Sequence, residues 1–218
     1  MEVKVLKNIL SANDELAERN RQLLEGKGVF AVNIMSSPGA GKTSLILETI
    51  KRLKDKLKIG VVEGDVSSSI DADKISQQKV PVIQINTDGG CHLDANMASS
   101  ALNNLPLGEV ELLFIENVGN LICPAGFRLG EHKKAVLASV PEGDDKPYKY
   151  PAMFQIADVV LVNKIDLLPY LQFDIKGFSK AVKALNQNAE IFQISCTTGE
   201  GIEDWISWVL ANVHPSTP

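Results

Sequence analysis

The sequence predicts an α/β protein built in three layers, with a mostly parallel sheet of about seven strands between helices and an additional N-terminal helix. Seven short runs rich in aliphatic and β-branched residues recur along the chain, and segments with the helical period separate most of them. This alternation is typical of a parallel sheet that helices cover on both faces. The runs span residues 29–35, 58–65, 82–85, 111–117, 135–140, 159–163 and 191–194.

Size and composition favour a single domain. The chain has 218 residues, enough to bury a core, and no Pro- or Ser-rich linker divides it. The apolar residues of the first segment follow a helical period, and Gly26 and Gly28 are stop signals. We therefore expect a helix over about residues 3–26, so that an N-terminal helical segment, residues 1–28, packs on a domain of residues 29–218.

Charge and hydropathy limit the partners. The formal net charge is −5 and no stripe is dense in lysine or arginine, which argues against nucleic acid. No apolar run approaches the length of a membrane span, and the first residues lack the apolar core of a signal peptide. We therefore expect no membrane partner and a cytoplasmic location. The three cysteines are then better explained as reduced thiols or metal ligands than as disulfides.

The first run is joined to an amphipathic segment by a glycine-rich sequence, Ser36-Ser37-Pro38-Gly39-Ala40-Gly41-Lys42-Thr43. A strand that ends at such a turn and restarts as a helix points backbone N–H groups at an anion. Lys42 can reach the β- and γ-phosphates and Thr43 can ligate Mg²⁺, so the segment resembles a P-loop. Ser36 replaces the usual first glycine, and a chance glycine-rich turn is the alternative. The predicted phosphate-binding residues are Ser37, Pro38, Gly39, Ala40, Gly41, Lys42, Thr43 and Ser44.

Polar side chains stand at the ends of three other runs. Asp65, Glu116 with Asn117, and Asn163 with Lys164 each follow an apolar stretch directly. Ligands of open α/β sheets bind at the carboxyl ends of the strands. These side chains are therefore expected to converge where the glycine-rich turn places phosphate.

The sequence Asn163-Lys164-Ile165-Asp166 has the form Asn-Lys-x-Asp, which indicates base selection. A carboxylate at Asp166 can accept hydrogen bonds from N1–H and the 2-amino group of guanine, which adenine cannot supply. A buried charge left half-satisfied costs about 1–3 kcal/mol or more, so guanine is favoured. A helix-opening Asn-Lys pair with a solvated aspartate is the alternative for the tetrapeptide alone. The turn after the next run offers further contacts to the base at Ser195, Cys196 and Thr197.

Together these motifs resemble the P-loop GTPases of the SIMIBI class. Within that class the chain resembles the HypB family, the nickel-insertion GTPases of hydrogenase maturation, from about residue 12 onward. The segments that carry the resemblance are Gly64-Asp65-Val66, Asp71-Ala72-Asp73, Cys91-His92-Leu93-Asp94-Ala95, Gly119-Asn120-Leu121-Ile122-Cys123-Pro124 and Glu142-Gly143-Asp144-Asp145-Lys146-Pro147.

The resemblance implies roles at the phosphate end. Lys42 would neutralise phosphate charge, and Thr43 would hold Mg²⁺. Asp65 and Glu116 would orient Mg²⁺ waters or the attacking water, and Gly119 would place its N–H near the γ-phosphate. Asp71 resembles a switch carboxylate that approaches the Mg²⁺ when nucleotide is bound. Helix capping is the alternative for Asp71 and for its neighbour Asp73.

Cys91, His92 and Cys123 form a candidate site for Ni²⁺ or Zn²⁺. Cys91 and His92 follow a Gly-Gly turn, and Cys123 lies just after the segment that begins at Glu116. Thiolates and imidazole suit both metals, but three ligands are one short of a closed tetrahedral site. Two unrelated cysteines and a structural histidine are the alternative from spacing alone. The resemblance favours a metal shared across a homodimer that GTP or metal promotes.

The resemblance implies a slow, switch-like GTPase that binds GTP and GDP and delivers nickel to a hydrogenase precursor. Its partners would be a nickel chaperone and the precursor of the hydrogenase large subunit. No Cys-x-x-Cys-Gly-Cys segment and no histidine-rich tract precedes the P-loop, so the separate nickel site or store of some relatives is expected to be absent. One alternative is a dimeric zinc or nickel adaptor with incidental GTP turnover. Another is an accessory GTPase for a different nickel enzyme.

Overall fold

Seven parallel strands form the centre of the protein. The computed structural model describes residues 9–66 and 70–213. The strands are β1 (Phe30–Ser36), β2 (Ile59–Asp65), β3 (Val82–Asn86), β4 (Leu112–Glu116), β5 (Lys133–Ser139), β6 (Val159–Asn163) and β7 (Glu190–Gln193). They lie in the order β3-β2-β4-β1-β5-β6-β7, and each neighbouring pair is parallel. The predicted sheet is confirmed.

Helices cover both faces of this sheet. They are α1 (Ile9–Gly26), α2 (Lys42–Leu53), α3 (Ile70–Ser76), α4 (Ala95–Asn104), α5 (Lys146–Lys149), α6 (Pro151–Gln155), α7 (Ile175–Leu185) and α8 (Ile202–Val213). Helices α2, α3 and α8 share one core with the sheet, whereas α1 and α4 pack on the other face beside α6 and α7. None of the helices within the described ranges is long and apolar enough to cross a membrane.

The two-residue period of the strands sorts their side chains between these layers. In β1, Val32 and Ile34 point into the core beneath α2 and α8, whereas Ala31 and Met35 point to the opposite face. Both faces are apolar because both are buried, which explains the nearly continuous apolar runs in the sequence.

The fifth strand begins before its predicted position, whereas the predicted start of the N-terminal helix is not tested. The predicted N-terminal helix ends at Gly26, as α1 does, but its expected first residues lie outside the described ranges. The fifth strand runs from Lys133 to Ser139 rather than over 135–140. Val140 instead opens a 3-10 turn, Val140–Glu142, because Pro141 has no N–H for a neighbouring strand.

Candidate functional site

The glycine-rich turn lies between the end of β1 and the first residue of α2. Gly39 and Gly41 have φ angles of 76° and 107°, a backbone region that side chains rarely adopt. A methyl group at Gly41 would also collide with the amide of Asn163. The Lys42 Nζ lies 3.3 Å from the Ser36 Oγ. The backbone N–H groups at the start of α2 and this ammonium group together make an anion-binding turn.

Carboxyl groups at the ends of β2 and β4 face this turn. Thr43 Oγ1 donates to Glu116 Oε1 at 2.9 Å, which joins the first turn of α2 to the end of β4. Glu63 pairs in register with Glu116 on the adjacent strand. The cleft between them has a volume of about 250 Å³. Its lining residues are Pro38, Gly39, Lys42, Glu63, Gly64, Asp65, Val66, Asp71, Glu116, Val118 and Gly119.

The two buried glutamates show that the cleft suits a cation. The Oε2 atoms of Glu63 and Glu116 are buried without a hydrogen-bond partner. Burial, together with the neighbouring carboxylates of Glu116, Asp65 and Asp71, raises the pKa of Glu63 to about 8. Burial also raises the pKa of Glu116 to about 7, against the opposing effects of Lys42 and the Thr43 hydroxyl. Unpartnered carboxylate oxygens beside a threonine hydroxyl fit the hard oxygen ligation of Mg²⁺.

Glu63 was missing from the predicted site. Its signal in the sequence was a charged residue inside an apolar run, two positions before Asp65 and therefore on the same face of β2. Asp71 lies in the first turn of α3, lines the same cleft and forms an ion pair with Lys74 at 2.7 Å.

The Asn-Lys-x-Asp segment begins at the end of β6 and reaches back to the glycine-rich turn. Asn163 Nδ2 donates to the Ala40 carbonyl at 2.9 Å, and its Oδ1 accepts from the Cys196 N–H at 3.2 Å. Lys164 has a φ angle of 63°, and its Nζ donates to the Gly39 carbonyl at 2.7 Å. These contacts fix the end of β6 relative to the glycine-rich turn.

Asp166 is braced by the turn that follows β7. The Ser195 Oγ donates to Asp166 Oδ1 at 2.6 Å, and the Thr197 N–H donates to that hydroxyl oxygen at 3.2 Å. The Asp166 carboxylate is half-buried, so its acceptor atoms can meet a base edge from the solvent side. Burial raises the pKa of the Cys196 thiol to about 11, which keeps the thiol neutral.

Glu142 was also missing from the predicted site. It accepts a hydrogen bond from Ser37 Oγ in the glycine-rich turn, and from Ser139 Oγ at 2.6 Å. The sequence contained it within the Glu142-Gly143-Asp144 motif but gave no role for it. Its contacts brace the glycine-rich turn from the end of β5.

Cys91, His92 and Cys123 lie together on the surface beside this cleft. One ligand atom from each lies within 4.8 Å of the other two, and the Cys91 Sγ is 3.5 Å from the His92 Nδ1. Burial lowers the pKa of His92, whose ring packs on Phe127 with centroids 4.0 Å apart. A neutral imidazole and two adjacent thiols form a donor set that suits Ni²⁺ or Zn²⁺.

One segment, residues 116–120, touches both the cleft and this cluster. Asn117 Oδ1 accepts from the Leu93 N–H at 3.1 Å, next to His92 in the chain. A Cβ on Gly119 would lie 2.9 Å from Pro38 in the glycine-rich turn. Asn120 Oδ1 accepts from the Cys123 N–H at 3.4 Å.

The fold and the glycine-rich turn define a P-loop nucleotide-binding protein. Residues 30–193 match the family model described as the CobW/HypB/UreG nucleotide-binding domain. The hydrogenase maturation factor HypB of Escherichia coli K12 is 48% identical over 209 residues, which cover 96% of this chain and 71% of that protein. The chain belongs to the HypB family of hydrogenase maturation factors.

Solved structures agree with this assignment. The crystal structure of HypB from Archaeoglobus fulgidus has a TM-score of 0.88 and 40% identity, covering 94% of this chain and all of that one. HypB from Helicobacter pylori in complex with nickel has a TM-score of 0.88 and 36% identity, covering 95% of this chain and all of that one. The predicted family is thereby confirmed.

Proposed function

We propose that this protein is a GTP-binding metallochaperone that hydrolyses GTP slowly and uses the nucleotide state to hold or release nickel during [NiFe]-hydrogenase maturation. The observation that carries the proposal is the contact of residues 116–120 with both the phosphate cleft and the thiol-imidazole cluster. A change at the γ-phosphate can therefore move the metal ligands directly, because one short segment contacts both sites.

In this proposal the nucleotide lies along the carboxyl ends of the strands. Lys42 and the first N–H groups of α2 bind the β- and γ-phosphates, and Gly119 donates its N–H to the γ-phosphate. Thr43 holds Mg²⁺, while Asp65 and Glu116 position its waters or the attacking water. Bound Mg²⁺ supplies charge neutralisation for the phosphates. The chain's own contribution is positioning and electrostatic stabilisation.

Guanine selection rests on Asp166. Its carboxylate accepts from N1–H and the 2-amino group of the base, while the Ser195 hydroxyl holds one oxygen in place. Lys164 and Asn163 keep the base end and the phosphate end at a fixed separation through Gly39 and Ala40. Adenine would supply neither of these base donors to the half-buried carboxylate, and this penalty gives the specificity.

Nickel is the cargo of the second site. The two thiolates and the imidazole supply three ligands, and a partner subunit or water supplies the fourth. The nickel complex of the Helicobacter pylori relative supports nickel rather than zinc as the metal. A GTP-promoted homodimer, a nickel-donating chaperone and the precursor of the hydrogenase large subunit are the proposed partners.

The experiment follows nickel release during hydrolysis. Protein loaded with Ni²⁺ and GTP is mixed with a colorimetric chelator, and nickel transfer is compared between GTP and a non-hydrolysable analogue. With GTP, we expect nickel to be transferred to the chelator at the rate of GTP hydrolysis. With the analogue, we expect the transfer to stay slow. Equal rates of nickel transfer with GTP and with the analogue would reject nickel release driven by hydrolysis. The protein would then be a metal-binding adaptor in which GTP turnover is incidental.

A further inference from the structure

Two asparagines of α1 each join the two segments that carry the proposed metal ligands. Asn13 Oδ1 accepts from the Ala95 N–H at 2.9 Å, and its Nδ2 donates to the Arg128 carbonyl at 2.9 Å. Asn20 Nδ2 donates to the Ala95 carbonyl at 2.8 Å and to the Leu129 carbonyl at 2.9 Å. Each amide therefore holds both segments at once.

Both anchor points lie within six residues of a proposed metal ligand along the chain. Ala95 is three residues after His92 and begins α4, whose N-terminus is capped by the Asp94 side chain through the Met97 N–H at 2.8 Å. The second anchor follows Phe127, whose ring packs on His92. Movement at either anchor would therefore change the separation between His92 and Cys123.

The packing of α1 on the second segment is unusually close. Gly130 has a φ angle of 107°, and a Cβ there would lie 2.9 Å from the Ala17 carbonyl oxygen and from the Arg21 nitrogen. Ala17 is fully buried and lies between the two asparagines. The spacing of seven residues between Asn13 and Asn20 is two helical turns, so both amides share one face of α1.

We propose that α1 is a positioning element of the metal site, and that Asn13 and Asn20 set the distance between His92 and Cys123. This inference rests on the proposed function, because it presumes that Cys91, His92 and Cys123 bind a metal. The N-terminal helix then has a role in metal binding, although it supplies no ligand to the metal.

The asparagine amide suits this role because it donates and accepts at the same time. At position 13 an aspartate would keep the acceptor for the Ala95 N–H but lose the donor to the Arg128 carbonyl. Alanine would remove both bonds. The two variants therefore separate the loss of one bridge from the loss of the side chain.

The test titrates the full chain with Co²⁺, whose thiolate absorption reports the ligands and their geometry. Asn13→Ala and Asn13→Asp are compared with the wild type, because Asn13 is only half-buried, whereas Asn20 is buried. Asn20→Ala is the second variant. Asn186→Ala is the matched control, since Asn186 Nδ2 also donates to two carbonyls, those of Gln155 and Ala157, away from the cluster. GDP affinity is measured on each variant.

We expect Asn13→Ala to weaken Co²⁺ binding by about tenfold or more, the range found when groups that orient metal ligands are removed. The Co²⁺ spectrum should change, whereas GDP affinity should match that of the wild type because neither asparagine lines the phosphate cleft. Asn13→Asp should weaken Co²⁺ binding less than Asn13→Ala, and Asn186→Ala should not change it.

Two negative results have different meanings. If Cys123→Ser and the wild type give the same Co²⁺ spectrum, the metal site is rejected and with it the proposed function. The other result concerns α1 alone. If Cys123→Ser loses the thiolate absorption but Asn13→Ala and Asn20→Ala bind Co²⁺ as the wild type does, only the role of α1 is overturned. If Asn20→Ala fails to fold, Asn13→Ala decides between these outcomes.

Discussion

The side-chain oxygen of Asn117 lies 3.1 Å from the backbone nitrogen of Leu93 and accepts its hydrogen. Asn117 follows Glu116, and Leu93 follows His92. One hydrogen bond therefore joins the strand end at the phosphate cleft to the loop that carries two of the three proposed metal ligands. Asn117 is buried, and its Nδ2 is held in turn by Asn33 at 3.3 Å.

Asn117→Ala should uncouple the two sites. Removal of the acceptor leaves the Leu93 N–H unpaired in a buried position, which costs about 1–3 kcal/mol of stability. We expect GTP and Ni²⁺ still to bind, but with a coupling factor close to one. The measurement is Ni²⁺ affinity with GDP and with a non-hydrolysable GTP analogue. Asn212→Ala, which removes a donor to the Trp208 carbonyl on α8, should retain the wild-type coupling.

Asp166→Asn should weaken GTP and favour xanthosine triphosphate. The amide introduces a donor where guanine also donates, whereas xanthine presents an acceptor at its 2-position. A competition assay between the two nucleotides measures the preference, and a shift of about tenfold or more is expected from one exchanged hydrogen-bond pair. Asp204→Asn, an exposed residue in the first turn of α8, should not change it. An unchanged preference at Asp166 would remove the proposed role in base recognition.

Lys42→Ala should abolish GTP hydrolysis while the fold survives. The ammonium group faces the cleft and contributes nothing to the apolar cores, so its loss removes charge stabilisation of the phosphates. We expect a rate loss of about a hundredfold or more, checked by phosphate release, with an unchanged far-UV circular dichroism spectrum. Lys51→Ala on the same helix is the control, because that side chain is 72% exposed. Wild-type turnover in Lys42→Ala would place the phosphates elsewhere.

The buried glutamates predict a pH dependence of stability. The pKa of Glu63 rises from 4.5 to about 8 and that of Glu116 to about 7, chiefly because both are buried. Between pH 4.5 and these raised pKa values, the two glutamates stay protonated in the folded protein but ionise in the unfolded chain. The nucleotide-free and Mg²⁺-free protein should therefore lose stability as pH rises from about 4.5 to about 8.

Urea unfolding in EDTA across that range checks this dependence. Glu63→Gln should flatten the pH profile because the amide cannot ionise. Glu109→Gln, at an exposed position, should follow the wild type. Parallel profiles for Glu63→Gln and the wild type would show that Glu63 titrates normally.

Local sequence patterns predicted the sheet, the glycine-rich turn and the polar strand ends, because each depends on residues adjacent in the chain. The grouping of Cys91 and His92 with Cys123 came from the resemblance to the HypB family, because spacing alone left two unrelated cysteines as the alternative. Local patterns did not predict the long-range contacts of polar side chains. Nothing local pairs Asn13 with Arg128, 115 residues away, because the helical period of α1 identifies its apolar face and not the partners of its polar residues.

Glu63 and Glu142 illustrate the same limit. A glutamate in a buried strand stands out in the sequence, but its register with Glu116 becomes visible only when β2 and β4 pair. Glu142 depends on a 3-10 turn that carries it back over Ser37. The neighbours of both residues depend on the order of the strands in the sheet, which cannot be deduced from local sequence patterns.

The most direct test of the account is the reciprocal effect of nucleotide on nickel. Ni²⁺ affinity is measured by isothermal titration in the GDP state and with a non-hydrolysable GTP analogue, and nucleotide affinity is measured with and without Ni²⁺. We predict that both ratios are equal, at about 5–150-fold, with a change in mass by light scattering. Cys123→Ala should abolish the effect and leave guanine binding intact. Identical Ni²⁺ affinity in the two nucleotide states, with no change in mass, would contradict the account.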